Sequence, residues 1–287
     1  MQDNSGLDRR PSPIAGSWYP GNALKLRTMI EGFLSKAPSL VIEGQLQGLI
    51  VPHAGYVYSG QSAACAFKAL EGKSFSKVVL ISPSHQAYRS PLLTSGHDAY
   101  TTPLGDLRVD KESLAILHAE LEPLGLGLTA VRGDREHSLE IELPFLQVSL
   151  GEAFALVPIM MMDQRRAVAD ALAQALAAWI KRLPTGENVL LVASSDQSHF
   201  HTQVQAEMMD GAVIKALEAQ DIDLLYRIDA EGKGEACGLG PMAAVILTCQ
   251  ALGNCRLQVV DHRTSAAATG DESSVVGYTA AILTLKP

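Results

Sequence analysis

The chain has 287 residues, 47% of them apolar and 19% charged, with a formal net charge of -8. That length can bury a core without staples, and the composition is that of an ordinary globular protein; the acidic balance and the absence of a Lys/Arg run argue against a phosphate-backbone binder. No stretch reaches the roughly 18 uninterrupted apolar residues of a membrane span, so neither a nucleic-acid nor a membrane partner is expected, and a cytoplasmic location follows.

Met1 to Pro11 are polar and charged, without the apolar stretch of a signal peptide, and read as a flexible segment ahead of one domain over residues 12–287. Gly16 to Asn22, GSWYPGN, is a turn, and helical apolar spacing runs from Ala23 to Leu34. QGLIV, Gln47 to Val51, predicts a strand ending at Pro52-His53; the small and apolar run Ser59 to Leu70 suits a packed helix; KVVLIS, Lys77 to Ser82, is a second strand ending at Pro83-Ser84-His85. Strand, helix and strand at this length form a crossover unit, which predicts parallel neighbours in a covered sheet. The grammar repeats with AFALVPIM, Ala153 to Met160, an Ala-rich helix from Ala167 to Arg182, and NVLLVASSD, Asn188 to Asp196, implying another parallel pair. Helices are predicted at Gln203 to Ala219, Asp221 to Arg227 and Pro241 to Ala251, the last with Pro in its first turn, where the missing N–H is harmless. Arg256 to Val260 and Ser274 to Leu283 are the final predicted strands. Without a low-complexity linker or a fixed-period repeat, the expected fold is α/β: a three-layer α/β/α single domain with a mostly parallel mixed sheet.

In open α/β sheets, ligands bind outside the carboxyl ends of the strands. Three predicted strand ends carry polar groups there: His53 in VPHAGYVYSG, His85 in SPSH, and Asp196 with His199 in SSDQSHF. One histidine in such a loop is more often a hydrogen-bonded structural residue than a ligand; three at equivalent positions reverse that weighting. Neutral imidazole is the commonest metal ligand, yet two alone make a weak site. EACGLGPM sets Cys237 among glycines ahead of the Pro-started helix. There a helix N-terminus would stabilise thiolate and glycines would let the backbone approach closely, which suits a ligand or a nucleophile. The four cysteines form no CxxC pair and are too few for a disulfide framework; Cys65 and Cys249, inside apolar helical patterns, read as inert thiols. EHSLEIELPFLQ, Glu136 to Gln147, offers His137 as a base lining the cleft, while Glu140 and Glu142 cannot share a helical face at a spacing of two. His97, His118 and His262 read as surface or structural.

GSWYP, VPHAGYVYSG, SPSH, EHSLEIELPF, SSDQSHF and ACGLGPM, in this order and spacing, resemble the Memo family, whose bacterial and archaeal members are called AmmeMemoRadiSam system protein B. The resemblance runs from about Pro11 to the final strand. It implies a fold similar to class III extradiol dioxygenases of the protocatechuate-cleaving type. It also implies one divalent metal ion, iron in first place with copper or zinc as alternatives, held by His53, His85 and Cys237, and cleft roles for Trp18, Asp196 and His199. Where some relatives carry CGRHP this chain has CGLGP, so a cation at Leu239 and a histidine at Gly240 are absent and ligand choice is expected to differ. Thiolate in place of the carboxylate of the usual iron triad means that dioxygenase activity is not simply inherited; a His2Cys set would equally suit zinc activating water.

Three functions stand as expectations. The leading one is a metal-dependent redox or O2-linked enzyme acting on a small-molecule or peptide substrate, with His199 as acid/base and Asp196 orienting it. The resemblance adds a functional link to a radical S-adenosylmethionine protein and an AMMECR1-like protein. The second is a non-catalytic module that captures a peptide or small ligand between aromatic walls at Trp18 and Tyr56. The third is a hydrolase with Cys237 as nucleophile and His199 as base, which needs the two side chains within hydrogen-bond reach.

Overall fold

The computed structural model describes residues 6–151 and 153–286. The chain runs through β1 (Arg9–Arg10), α1 (Ala23–Lys36), β2 (Gln45–Val51), α2 (Tyr56–Phe67), β3 (Lys77–Pro83), β4 (Leu92–Ser95), β5 (Ala99–Thr102), β6 (Gly105–Arg108), α3 (Lys111–Leu121) and β7 (Leu128–Val131). It continues with α4 (Leu143–Leu150), β8 (Ala155–Met161), α5 (Arg166–Ile180), β9 (Val189–Ser194), β10 (Asp196–His201), α6 (Gln203–Glu218), α7 (Ile222–Ala230), α8 (Leu239–Leu252), β11 (Asn254–Thr264), α9 (Ala266–Thr269) and β12 (Val275–Lys286). Several helices start on side-chain caps that satisfy free N–H groups: Asn22 accepts from Lys25, Asp110 from Ser113, and Thr202 forms a capping box with Gln205.

The large sheet has the order β10–β12–β2–β9–β3–β8–β4–β7, with β11 also paired to β12. At its centre β2, β9, β3 and β8 run parallel. These strands are buried past their first residue, as strands covered on both faces must be. Antiparallel partners flank them, β12 beside β2 and β4 beside β8.

The expected neighbour pairs are corrected: β9 lies between β2 and β3, and β3 lies between β9 and β8. The crossover β2–α2–β3 therefore skips one strand in one direction, and β8–α5–β9 skips one in the other. Right-handed crossovers of opposite direction put their helices on opposite faces. Accordingly α2 packs with α1 and α4, while α5 packs with α3 and α8. The result is a three-layer α/β domain with a mixed sheet that is parallel at its centre.

Residues 91–131, where no element is predicted from the apolar pattern, hold β4 to β7 and α3. The flexible reading of residues 1–11 is corrected from Arg9 onward, the first five residues lying outside the described ones. There β1 pairs parallel with β5 in a small sheet with β6, and Arg10 is 1% exposed. Its guanidinium donates to Asp134 Oδ1 at 2.7 Å, Glu140 Oε2 at 2.6 Å and the Glu136 carbonyl oxygen at 2.7 Å. A buried cation is tolerated only when fully partnered in this way. Among the described residues no helix is long and apolar enough to cross a membrane.

Candidate functional site

The interleaving that separates β2 from β3 is what builds the site, because β2, β9 and β3 are consecutive in the sheet and their carboxyl ends lie side by side. Pro52, which has no N–H for a ladder, ends β2 and delivers His53. Pro83 closes β3 two residues before His85, and Asp196 follows β9 between them. The His53 and His85 rings stand edge-on with centroids 5.4 Å apart. Cys237, at the turn into α8, places Sγ 3.0 Å from His53 Nε2. One ligand atom each from His53, His85 and Cys237 lies within 4.8 Å of the others.

Each member of this set is held from behind. His85 Nδ1–H donates to Glu136 Oε1 at 2.9 Å, which leaves its Nε2 lone pair for the cleft. Burial pushes Glu136 up, but the bonds from His85 and the Ser138 N–H prevail and hold it at about 2. The hydrogen bond to Glu136, and then its charge, raise His85 against the opposing effect of burial. His53 Nδ1 meets Ser194 Oγ at 2.8 Å, and that oxygen also lies 2.7 Å from the Ser138 carbonyl and 3.0 Å from Glu142 Oε1. Burial lowers His53 far below the usual imidazole range, with the neighbouring His137 and His85 adding to the effect. Buried as well, Glu142 is raised well above the carboxylate range. Two neutral groups thus meet at Ser194, whereas a charged carboxylate meets His85.

The expected thiolate stabilisation at Cys237 is corrected. Burial, then the charge of Asp196, pushes the thiol up, and these outweigh the hydrogen bonds from the Asp196 N–H and the Ser195 hydroxyl that favour the thiolate. Ionisation there requires a cation, and a coordinating metal deprotonates a thiol outright. The Asp196 N–H donates to Sγ at 3.2 Å, ready to support a thiolate. Gly238 carries the close approach foreseen for the glycines: a Cβ there would meet the Ser194 carbonyl oxygen at 2.3 Å. Gln164 braces the loop, donating to the Cys237 carbonyl at 2.7 Å and accepting from Gly240 N–H at 2.9 Å.

A cleft of about 680 Å³ opens over these residues and is lined by Trp18, His53, His85, His137, Asp196 and His199 among others. His137 stacks on His85 at 4.7 Å and against Trp18 at 4.3 Å, and burial holds it at about 4. It is therefore a neutral cleft wall. His85, Glu136 and His137 form a second convergent set. Glu136 is already taken up by N–H donors from His85, His137 and Ser138, which favours the set with Cys237.

Three expectations change. Tyr56 is 2% exposed, donates its hydroxyl to the Ile141 carbonyl and packs on Phe145; Tyr58, about 200° further around α2, lines the cleft in its place. Asp196 does not orient His199: its Oδ1 accepts the His53 N–H at 2.7 Å, and burial raises its carboxyl to about 7. Cys237 has His53, not His199, as its imidazole partner, so the Cys237–His199 hydrolase pair is not formed.

Sequence reasoning missed Glu136, Glu142 and Ser194 as site residues. A signal for the acids was present. Glu136, Glu140 and Glu142 sit in a segment otherwise apolar enough to be core, and all three are buried at 2%, 0% and 1% exposure. Glutamates are almost never buried without a partner, and here each has a different one: His85, Arg10 and Ser194.

The profile of the Memo-like protein family matches residues 9–282. A MEMO1 family protein of Nitrosopumilus maritimus is 32% identical over 94% of this chain and 97% of its own length. Another, from Methanococcoides burtonii, is 34% identical over 96% and 99%, and one from Thermotoga maritima 35% identical over 96% and 100%. Matches that span nearly the whole of both chains, together with the profile match, place this chain in the Memo-like family.

Proposed function

We propose that the cleft is a mononuclear metal centre held by His53, His85 and Cys237, and that the protein is a metal-dependent redox or O2-linked enzyme acting on a small-molecule or peptide substrate. The observation that carries this reading is the convergence of two imidazoles and one thiol within 4.8 Å, each imidazole oriented through Nδ1 by a buried partner. Outer-shell fixing of this kind accompanies ligating histidines. The donor set fits a borderline-soft divalent ion, and iron, copper or zinc all suit one thiolate and two imidazoles. Such an ion, when bound, supplies Lewis acidity or a redox couple. The chain's own contribution is to bind and orient. His137 and Trp18 wall the cleft, Asp196 fixes the His53 backbone, and His199, lowered by burial, is a neutral base at neutral pH able to take a substrate proton.

Elemental analysis of protein purified without oxygen, followed by oxygen-uptake assays on catechol-like and thiol substrates, tests the proposal. One ion per chain, lost on replacing His53 or Cys237, is the expected outcome. A chain that neither retains nor takes up iron, copper or zinc overturns the metal reading and leaves ligand capture on the Trp18 and His137 wall.

A further inference from the structure

We infer that Phe200 is a ligand-facing wall of this cleft, and that the ligand it meets presents a flat apolar face and no negative charge. The inference rests on the cleft being a ligand site, as proposed above, but not on the metal. Phe200 has φ 62°, in the left-handed region that a bulky residue occupies only when its surroundings impose it. Its side chain is 77% exposed and lines the cleft. Burial of the ring therefore cannot be what the strain achieves.

Glu235 imposes the conformation. Its Oε2 accepts the His199 N–H at 3.0 Å and its Oε1 lies 2.9 Å from His201 Nε2, so the residues on both sides of Phe200 are tied to one carboxylate. The pairing of β10 with β12 shifts register between Asp196 and His199 and again between His199 and His201, as a bulge that re-aims a side chain does. Glu235 stands two residues before Cys237, so the bulge and the Cys237 loop share an anchor.

The ligand class follows from what else lines the cleft. Trp18 and the exposed Tyr58 add aromatic surface; Asp271 is an exposed carboxylate, held below the usual range by the Ser273 hydroxyl; the lining includes no lysine or arginine. Aromatic faces attract flat apolar bodies and cations. Carboxylates repel anions.

Three bicyclic fluorescent probes of one shape test this: neutral 2-naphthol, cationic 2-naphthylmethylamine and anionic 2-naphthoate, titrated into the full chain stripped of metal by a chelator and again after reloading. In the stripped protein the neutral and cationic probes should bind about tenfold tighter than the anion. Phe200→Gly should weaken both by about tenfold while the thermal midpoint stays or rises, since glycine adopts this φ freely; Phe200→Tyr should keep the affinity. Wild-type affinity in Phe200→Gly, or naphthoate binding as tightly as the other probes to the stripped protein, overturns the inference. Probe binding as expected in a chain that takes up no metal would sink the metal reading alone, so the two failures are separable.

Discussion

Glu136 holds His85 twice: Oε1 accepts the ring Nδ1–H at 2.9 Å and Oε2 accepts the backbone N–H of the same residue at 2.5 Å. The first bond sets the tautomer and the second sets where the ring starts. Glu136→Gln keeps the shape but removes the charge that raises imidazole basicity. Metal affinity should fall about 10–100-fold, read by competition with a chelator. An unchanged affinity would show that Glu136 serves the loop and not the ligand.

Asp196 gives the metal-stripped protein a pH dependence. Its carboxyl rises from 3.8 to about 7 on burial, so the folded state holds the proton more tightly than the unfolded state. That contribution is complete below about pH 3.8 and is lost as pH rises to about 7. Asp196→Asn can still accept the His53 N–H, and should be more stable than the parent at pH 8 by about 1–3 kcal/mol while matching it near pH 4. Urea unfolding at the two pH values decides; parallel slopes for parent and variant refute the assignment.

Cys237→Ser and Cys65→Ser should separate a ligand from a core thiol. The first replaces a soft donor with a weak neutral one, so bound metal should collapse while the fold survives. Cys65 is buried, but its Sγ already donates to the Gln61 carbonyl at 3.3 Å. A serine hydroxyl inherits that acceptor, and the cost should be about 1 kcal/mol rather than that of an orphaned group. Metal content and thermal midpoint of both variants are the measurement. Equal metal in the parent and Cys237→Ser eliminates the thiolate ligand.

His199 lies outside both convergent sets of ligand atoms but lines the cleft. His199→Ala should retain the ion and lower turnover about 10²–10⁴-fold if the ring transfers a proton. Loss of the ion in that variant would move His199 among the ligands.

Removing Arg10 leaves Asp134 and Glu140 as uncompensated buried acids. Arg10→Ala should cost about 3–5 kcal/mol in denaturant unfolding, and Arg10→Lys should recover only part of it, because an ammonium cannot reproduce the fork that reaches both acids and the Glu136 carbonyl. Near-neutral behaviour of Arg10→Ala would mean that the acids find other partners.

The four central strands and most helices were legible because covered parallel strands read as continuous apolar runs and the helices show their period. Strand order was not, since a crossover long enough to reach a neighbour is also long enough to skip one, and only packing of the completed sheet chooses. The short strands of residues 91–131 carry too few residues for a periodic signal. At the site, His53, His85 and Cys237 were legible from their residue types at strand and helix ends. Glu136 and Ser194 were not, because a carboxylate or hydroxyl declares its role only through the partner that folding brings to it. Tyr56 was misplaced for Tyr58 because the angle at which α2 leaves the cleft is a tertiary property.

The place of β9 between β2 and β3 also orders events during biosynthesis. The ribosome delivers the two outer strands of this trio long before β9 begins at Val189, and Cys237 comes later still. Until then β2 and β3 lack their shared partner, and neither histidine has its final surroundings. Non-local pairing of this kind slows folding and leaves strand edges open to wrong contacts. A nascent chain interrupted before Val189 should therefore be a poor folding unit, and the cleft should assemble as one of the last acts of translation.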